Sequence, residues 1–84
     1  MNKLEIFKKK LIYRSNYRGT KEMDILLSKF VKQYIDKFDE IELNELDKFL
    51  DFQDDVILSY YHHGVAQQNI DKNKISKIFK NFRL

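Results

Sequence analysis

The stretch TKEMDILLSKFVKQYIDKF, residues 20–38, carries the strongest helical pattern in the chain. Its apolar residues recur every three or four positions, which places them on one arc of an α-helix. Thr20 has the side-chain oxygen of a typical N-cap, and the acidic Glu22 and Asp24 suit the positive end of the helix dipole. We therefore predict a central core helix that begins at Thr20 or the next residue and ends near Lys37. The residues predicted to face the core are Met23, Leu26, Leu27, Phe30, Val31, Tyr34 and Phe38.

Four shorter amphipathic segments flank this helix, and each of them predicts a further α-helix. Gly64 is expected to end the fourth helix in the left-handed conformation, and Gly19 suits the corner between the first two helices because it can take a positive φ without a Cβ penalty. The sequence thus predicts an all-α fold, a single-domain five-helix bundle formed by residues 1–84. The first segment is Lys3–Ser15, with an apolar face of Leu4, Phe7, Leu11 and Ile12. The third helix is predicted at Glu42–Leu50, with Leu43, Leu46, Phe49 and Leu50 turned inward, and the fourth at Asp55–His62. The last helix is capped by Asp71 or Asn73 and has an apolar face of Ile75, Ile78, Phe79 and Phe82.

Length and composition limit what a chain of 84 residues can be. A domain of this size buries only about 60–65% of the surface of its unfolded chain, which disfavours an elaborate catalytic pocket. The chain has no cysteine, so it has no disulfide and no thiolate metal site or nucleophile. Its net charge is +3, with both signs interspersed, and no apolar run has the length of a membrane helix.

The N-terminal stretch bears on the expected compartment. Residues 1–15 contain Glu5 and only one arginine, Arg14, whereas a mitochondrial presequence is rich in arginine and poor in acids. This composition favours a bacterial cytoplasmic protein. We also expect the free chain to be a monomer.

The corner between the first and second helices, Tyr17 to Asp24, is the one stretch that the core pattern does not explain. Arg18 offers a planar fork of donors that matches a carboxylate or a row of carbonyls. Gly19 leaves the backbone unshielded, so that another molecule can approach it closely. An arginine beside a glycine at an exposed corner therefore suggests a docking surface.

These residues resemble a known signature. Arg18-Gly19-x-x-Glu22, followed by Met23 and Asp24, is similar to the Arg-Gly-x-x-Glu motif of the succinate dehydrogenase assembly factors. As in that family, the motif lies near residue 20 of a small, cysteine-free helical chain, and an Asp-Asp-apolar segment follows it at residues 54–57.

The resemblance implies an assembly chaperone and not an enzyme. Such factors bind the flavoprotein subunit of succinate dehydrogenase, and in some bacteria that of fumarate reductase, and promote covalent attachment of FAD. The FAD would belong to the partner, whose own histidine forms the bond, and no cofactor would be bound tightly by this chain. The motif residues Arg18, Gly19 and Glu22 are the expected partner contacts, with Asp24 beside them.

Further contacts are inferred from the helical pattern alone. Tyr13 and Tyr17 fall with Ile6 on a second apolar stripe of the first helix, opposite its core face. Such a stripe faces either a partner or a neighbouring helix. Ile25 points away from the core arc of the second helix, on the side of Glu22, so it is either a contact beside the motif or an isolated surface residue.

The acidic and histidine clusters of the chain do not predict a metal site. The acids Glu40, Glu42, Glu45 and Asp47 lack the alternating ligands and central glycine of a calcium loop, and they suit a helix N-terminus. Adjacent histidines on a helix point about 100° apart and rarely bind one ion together, so no metal site is expected at His62 and His63.

Two other functions remain open at this point. One is a small basic module that binds nucleic acid through Arg18 and the lysines of the first and last helices, although the assembly-factor interpretation needs no nucleic acid. The other, less favoured, is an enzyme that acts through His62, His63 and Glu45.

Overall fold

Five α-helices and one short 3-10 helix make up residues 2–84, the part of the chain that the computed structural model describes. These residues contain no strand, which confirms the all-α prediction. The elements are α1 (Lys3–Arg14), α2 (Lys21–Tyr34), α3 (Glu40–Phe49), α4 (Asp54–His63), the 3-10 helix (Ile70–Lys72) and α5 (Lys74–Lys80).

The core is built on α2, as its periodicity predicts. The helix begins at the predicted cap, where the Thr20 hydroxyl accepts a hydrogen bond from the backbone N–H of Met23 at 3.2 Å. Phe30 is fully buried at the centre of the core and meets aromatic rings from α2, from α3 and from the C-terminal segment. Those rings, with centroids 5.1–6.4 Å from that of Phe30, belong to Tyr34, Phe49, Phe79 and Phe82.

Several helix ends differ from the predicted ones because caps set them locally. The helix α2 ends at Tyr34, and a turn then carries the chain to the buried Phe38. The helix α3 begins two residues early, at Glu40, because Asp39 and Glu42 form a reciprocal capping box. Of the two predicted caps for α5, Asn73 is the one observed, and it accepts from the backbone N–H groups of Ile75 and Ser76.

The helix α1 is only partly covered by its neighbours. Leu11 is fully buried, but Leu4 is 44% exposed, so its predicted core position is wrong. Leu4 lies in the first turn of α1 and lines an open cleft that it shares with Phe7, Glu40 and Asn44. Neither this helix nor any other in residues 2–84 combines the length and the hydropathy that crossing a membrane requires.

Candidate functional site

The corner between α1 and α2, residues 15–20, takes its shape from Tyr17 and not from Gly19. Tyr17 has a φ of 58°, in the left-handed region, whereas the only glycine with a positive φ in residues 2–84 is Gly64, at 70°. Gly19 therefore does not use the positive φ open to a glycine, whereas the predicted left-handed conformation of Gly64 is confirmed. A tyrosine in this conformation is uncommon, since its Cβ crowds the backbone.

The Arg18 side chain is folded back against the connection between α3 and α4. Its Nε donates to Asp54 Oδ1 at 2.9 Å, and its two terminal nitrogens donate to the backbone carbonyls of Leu50 at 3.0 Å and Phe52 at 2.9 Å. The carbonyl groups just after α3 have no partner within a helix, so they accept from the guanidinium. The side chain is only 14% exposed, and the expected outward guanidinium is therefore wrong.

Gly19 and Asp54 lie in close contact. The backbone N–H of Gly19 donates to Asp54 Oδ2 at 2.8 Å. A Cβ at position 19 would lie 3.1 Å from the same oxygen, which is tighter than an ordinary contact. A side chain at position 19 is thus disfavoured by the approach of a carboxylate from α4, whereas the sequence suggested the approach of another molecule.

Asp24 also acts within the chain. Its carboxylate accepts a hydrogen bond from the backbone N–H of Arg18, six residues earlier. Together, Asp24 and Asp54 satisfy the backbone N–H groups of the two residues that follow Tyr17. The corner is consequently fixed from both sides by acidic side chains.

The aromatic side chains at the corner remain outside the core. Tyr13 is 69% and Tyr17 81% exposed, and their ring centroids are 5.7 Å apart. Ile6, the third member of the predicted second stripe, is also exposed. The stripe was expected to face either a partner or a neighbouring helix. The exposure of these side chains excludes a neighbouring helix within residues 2–84.

Glu22 and Ile25 line a shallow apolar groove between α2 and α4. Its volume is about 310 Å³, and its other walls are Leu26, Tyr61, His62 and Leu84. The Glu22 carboxylate lies 3.0 Å from His62 Nε2. Within residues 2–84 it does not pair with Arg18, whose side chain bonds to the α3–α4 connection. Ile25 is 39% exposed and lies beside Glu22 in this groove. Its role as a partner contact stays a prediction.

The other candidate residues have structural partners. Glu45 accepts from the Asn73 side-chain amide, and Asp47 pairs with Arg14. Within residues 2–84, no group of three or more histidine, aspartate or glutamate side chains is arranged to hold a metal ion. Arg18 already donates to three internal acceptors, so the structure offers no support for a role of this arginine in binding phosphates.

Comparison with known protein families gives a match over residues 9–83, to the family described as "Flavinator of succinate dehydrogenase". The chain belongs to this family. Its relatives in the flavinator family include the mitochondrial succinate dehydrogenase assembly factor 2 of Scheffersomyces stipitis, 42% identical over 92% of this chain and 52% of the relative. The proteins of the same name from Debaryomyces hansenii, 37% identical over 92% of this chain and 55% of the relative, and from Schizosaccharomyces pombe, 42% identical over 84% and 50%, are similar too.

These relatives correct the expected compartment. The chain spans about half the length of the curated relatives it matches, and those relatives are fungal proteins named as mitochondrial. The expectation of a bacterial cytoplasmic protein is therefore wrong. Residues 3–14 form α1 of the folded domain, so their low arginine content reflects a helix of the bundle and says nothing about targeting.

Proposed function

We propose that this chain is an assembly chaperone that binds the flavoprotein subunit of succinate dehydrogenase and promotes the covalent attachment of FAD to it. The observation that supports this most is the family match, which extends over nearly the whole chain. The names of the relatives support the assembly of succinate dehydrogenase as the process. The choice of the flavoprotein subunit follows from the motif and from the family description.

The surface we propose for binding, here called the docking face, consists of Tyr13, Tyr17, Gly19, Glu22 and Ile25. Four of them have exposed side chains, and Gly19 exposes its backbone. Exposed tyrosines supply a large contact area at a small cost in side-chain entropy, and they are enriched in protein interfaces. Apolar and aromatic groups next to one exposed acid are thus a suitable surface for a folded protein partner.

Arg18 and Asp24 belong to this site in a different way. Their polar groups are bonded within the chain, so we propose that they give the docking face its shape. This replaces the expectation that Arg18 itself donates to the partner.

The chaperone would act through binding free energy. If it binds one arrangement of the immature flavoprotein more tightly than the others, it raises the population of that arrangement by its differential affinity. An arrangement that holds reacting groups in register accelerates bond formation without any catalytic group from this chain. Release afterwards requires that the mature flavoprotein bind less tightly.

We propose that FAD stays with the flavoprotein. Dinucleotides are commonly bound where a glycine-rich loop exposes backbone N–H groups at a helix N-terminus. At the motif, that position is the N-terminus of α2, which carries Glu22 and Asp24 in its first turn. These acids repel a pyrophosphate, so the residues present do not fit a resident FAD.

The test is co-expression of the flavoprotein subunit with and without this chain, with covalent flavin measured by in-gel fluorescence. We expect more covalent flavin in the presence of the chain. Ile25→Ser on the docking face should reduce this gain, whereas Ile41→Ser, a matched exposed isoleucine on α3, should not. Equal covalent flavin with and without the wild-type chain would refute the proposed function.

A further inference from the structure

Asp54 is outside the Arg-Gly-x-x-Glu motif, yet both of its carboxylate oxygens bond to that motif. Oδ1 accepts from Arg18 Nε at 2.9 Å, and Oδ2 accepts from the Gly19 N–H at 2.8 Å. We propose that Asp54 is the positioning residue of the docking face, and that Arg18 acts on the partner only through it. The identity of the partner in this inference rests on the proposed function, whereas the contacts between Asp54 and the motif do not.

The pair is sheltered enough for the interaction to matter. The side chains of Arg18 and Asp54 are 14% and 24% exposed, so solvent screens them less than an open surface pair. Hydrogen bonds between ionised groups are stronger than those between neutral groups. Arg18 also bonds the carbonyls of Leu50 and Phe52, so the pair connects the corner to both the end of α3 and the start of α4.

The effect of Asp54 on the docking face runs through Tyr17. A non-glycine residue with a φ of 58° is in an unfavourable conformation, which persists only where the surroundings enforce it. The next two backbone N–H groups along the chain are held by Asp24 and Asp54. Loss of the Asp54 carboxylate therefore frees Gly19, and with it the direction of the exposed Tyr17 side chain.

Asp54→Asn is the first test, with Asp55→Asn as the matched control. The Asp55 side chain is exposed, and its carboxylate accepts only from the N–H of the adjacent Val56, so it does not contact the motif. We expect Asp54→Asn to raise the exchange rate of the Gly19 amide proton, and to weaken binding to the purified flavoprotein about tenfold or more, the loss of one charge-assisted hydrogen bond. Asp55→Asn should change neither quantity.

A double-mutant cycle shows whether Arg18 contacts the partner itself. Arg18→Lys keeps the charge, but a lysine ammonium lacks the planar fork that spans three acceptors. If Arg18 acts through Asp54, the double variant Arg18→Lys with Asp54→Asn should bind no more weakly than the weaker single variant. Additive losses of affinity would show that Arg18 affects binding independently of Asp54, and would overturn the inference that it acts only through Asp54.

The two proposals fail in different ways. If the wild-type chain does not bind the flavoprotein, the proposed function fails, and the Gly19 exchange rate still decides the role of Asp54. If the wild type binds and Asp54→Asn matches Asp55→Asn in exchange and affinity, the positioning role is wrong. If Asp54→Asn does not melt cooperatively, Arg18→Lys is measured alone. A wild-type affinity together with a wild-type exchange rate of the Gly19 amide proton in that variant would likewise refute the inference.

Discussion

The carboxylate of Glu22 on α2 lies 3.0 Å from Nε2 of His62 on α4, across the mouth of the apolar groove. The two side chains are 57% and 43% exposed. Pairs this exposed contribute little to folding, since water and salt screen them. Substitution of Glu22 therefore reports on binding far more than on stability.

Glu22→Gln should change the free energy of unfolding by less than about 1 kcal/mol, the usual limit for an exposed pair. Flavoprotein affinity should nevertheless fall, because the exposed negative charge of the docking face is lost. The matched control is Glu40→Gln, an exposed acid in the first turn of α3. Urea unfolding and a binding titration measure the two effects, and a variant that unfolds would assign Glu22 to the fold.

Tyr17→Asn should separate stability from binding. Asparagine tolerates the left-handed region better than tyrosine, so stability should be unchanged or higher by up to about 1 kcal/mol. Affinity for the flavoprotein should fall, because the most exposed tyrosine of the docking face is gone. Tyr13→Asn is the comparison for stability: it lies within α1, has no positive φ to relieve, and should therefore show no gain in stability. Undiminished affinity of the Tyr17 variant would remove Tyr17 from the docking face.

Phe30→Ala should destabilise the domain by about 3–5 kcal/mol, because it leaves a cavity among the buried aromatic rings. A shift of the urea midpoint at constant slope is the measurement. Ile41→Ala, an exposed position on α3, should stay within about 0.5 kcal/mol of the wild type. A small effect at Phe30 would mean that the core collapses to fill the space.

The two glycines should respond differently to alanine. In Gly64→Ala the new Cβ has room, since it would lie 3.5 Å from Lys80 Nζ. The loss of stability should therefore be the conformational one, about 1–2 kcal/mol for a non-glycine residue at a φ of 70°. Gly19 has no positive φ, so the loss of stability in Gly19→Ala should come from the contact of the new Cβ with Asp54 Oδ2, 3.1 Å away. Pairing each change with Asp54→Asn tests this: only the Gly19→Ala effect on stability should depend on Asp54. Equal dependence at both glycines would contradict this explanation.

Local pattern predicted the helices well. The core face of α2 and the stop at Gly64 follow from spacing and from the nature of one residue, so they need no knowledge of distant contacts. The helix ends moved by up to a few residues where capping choices such as Asn73 over Asp71 depend on the following structure. Leu4 failed because coverage of a helix end is decided by its neighbours.

The corner was harder to predict for the same reason. The partners of Arg18 lie 32 to 36 positions away in the chain, and no local signal reveals that a guanidinium will fold onto them. The sequence indicates that a glycine suits the corner, but what disfavours a side chain there is a distant carboxylate and not the φ of Gly19. The Asp-Asp-apolar segment at residues 54–57 was the available clue, because an arginine that is largely covered needs an acidic partner from another part of the chain.

The bond between Arg18 and Asp54 joins parts of the chain that are 36 positions apart. Such a contact requires the intervening polypeptide to close a loop, which costs conformational entropy. A nascent or unfolded copy therefore carries the five-letter signature without the surface that the signature describes. On the proposed function, only a copy that has completed its own folding would be able to bind the flavoprotein.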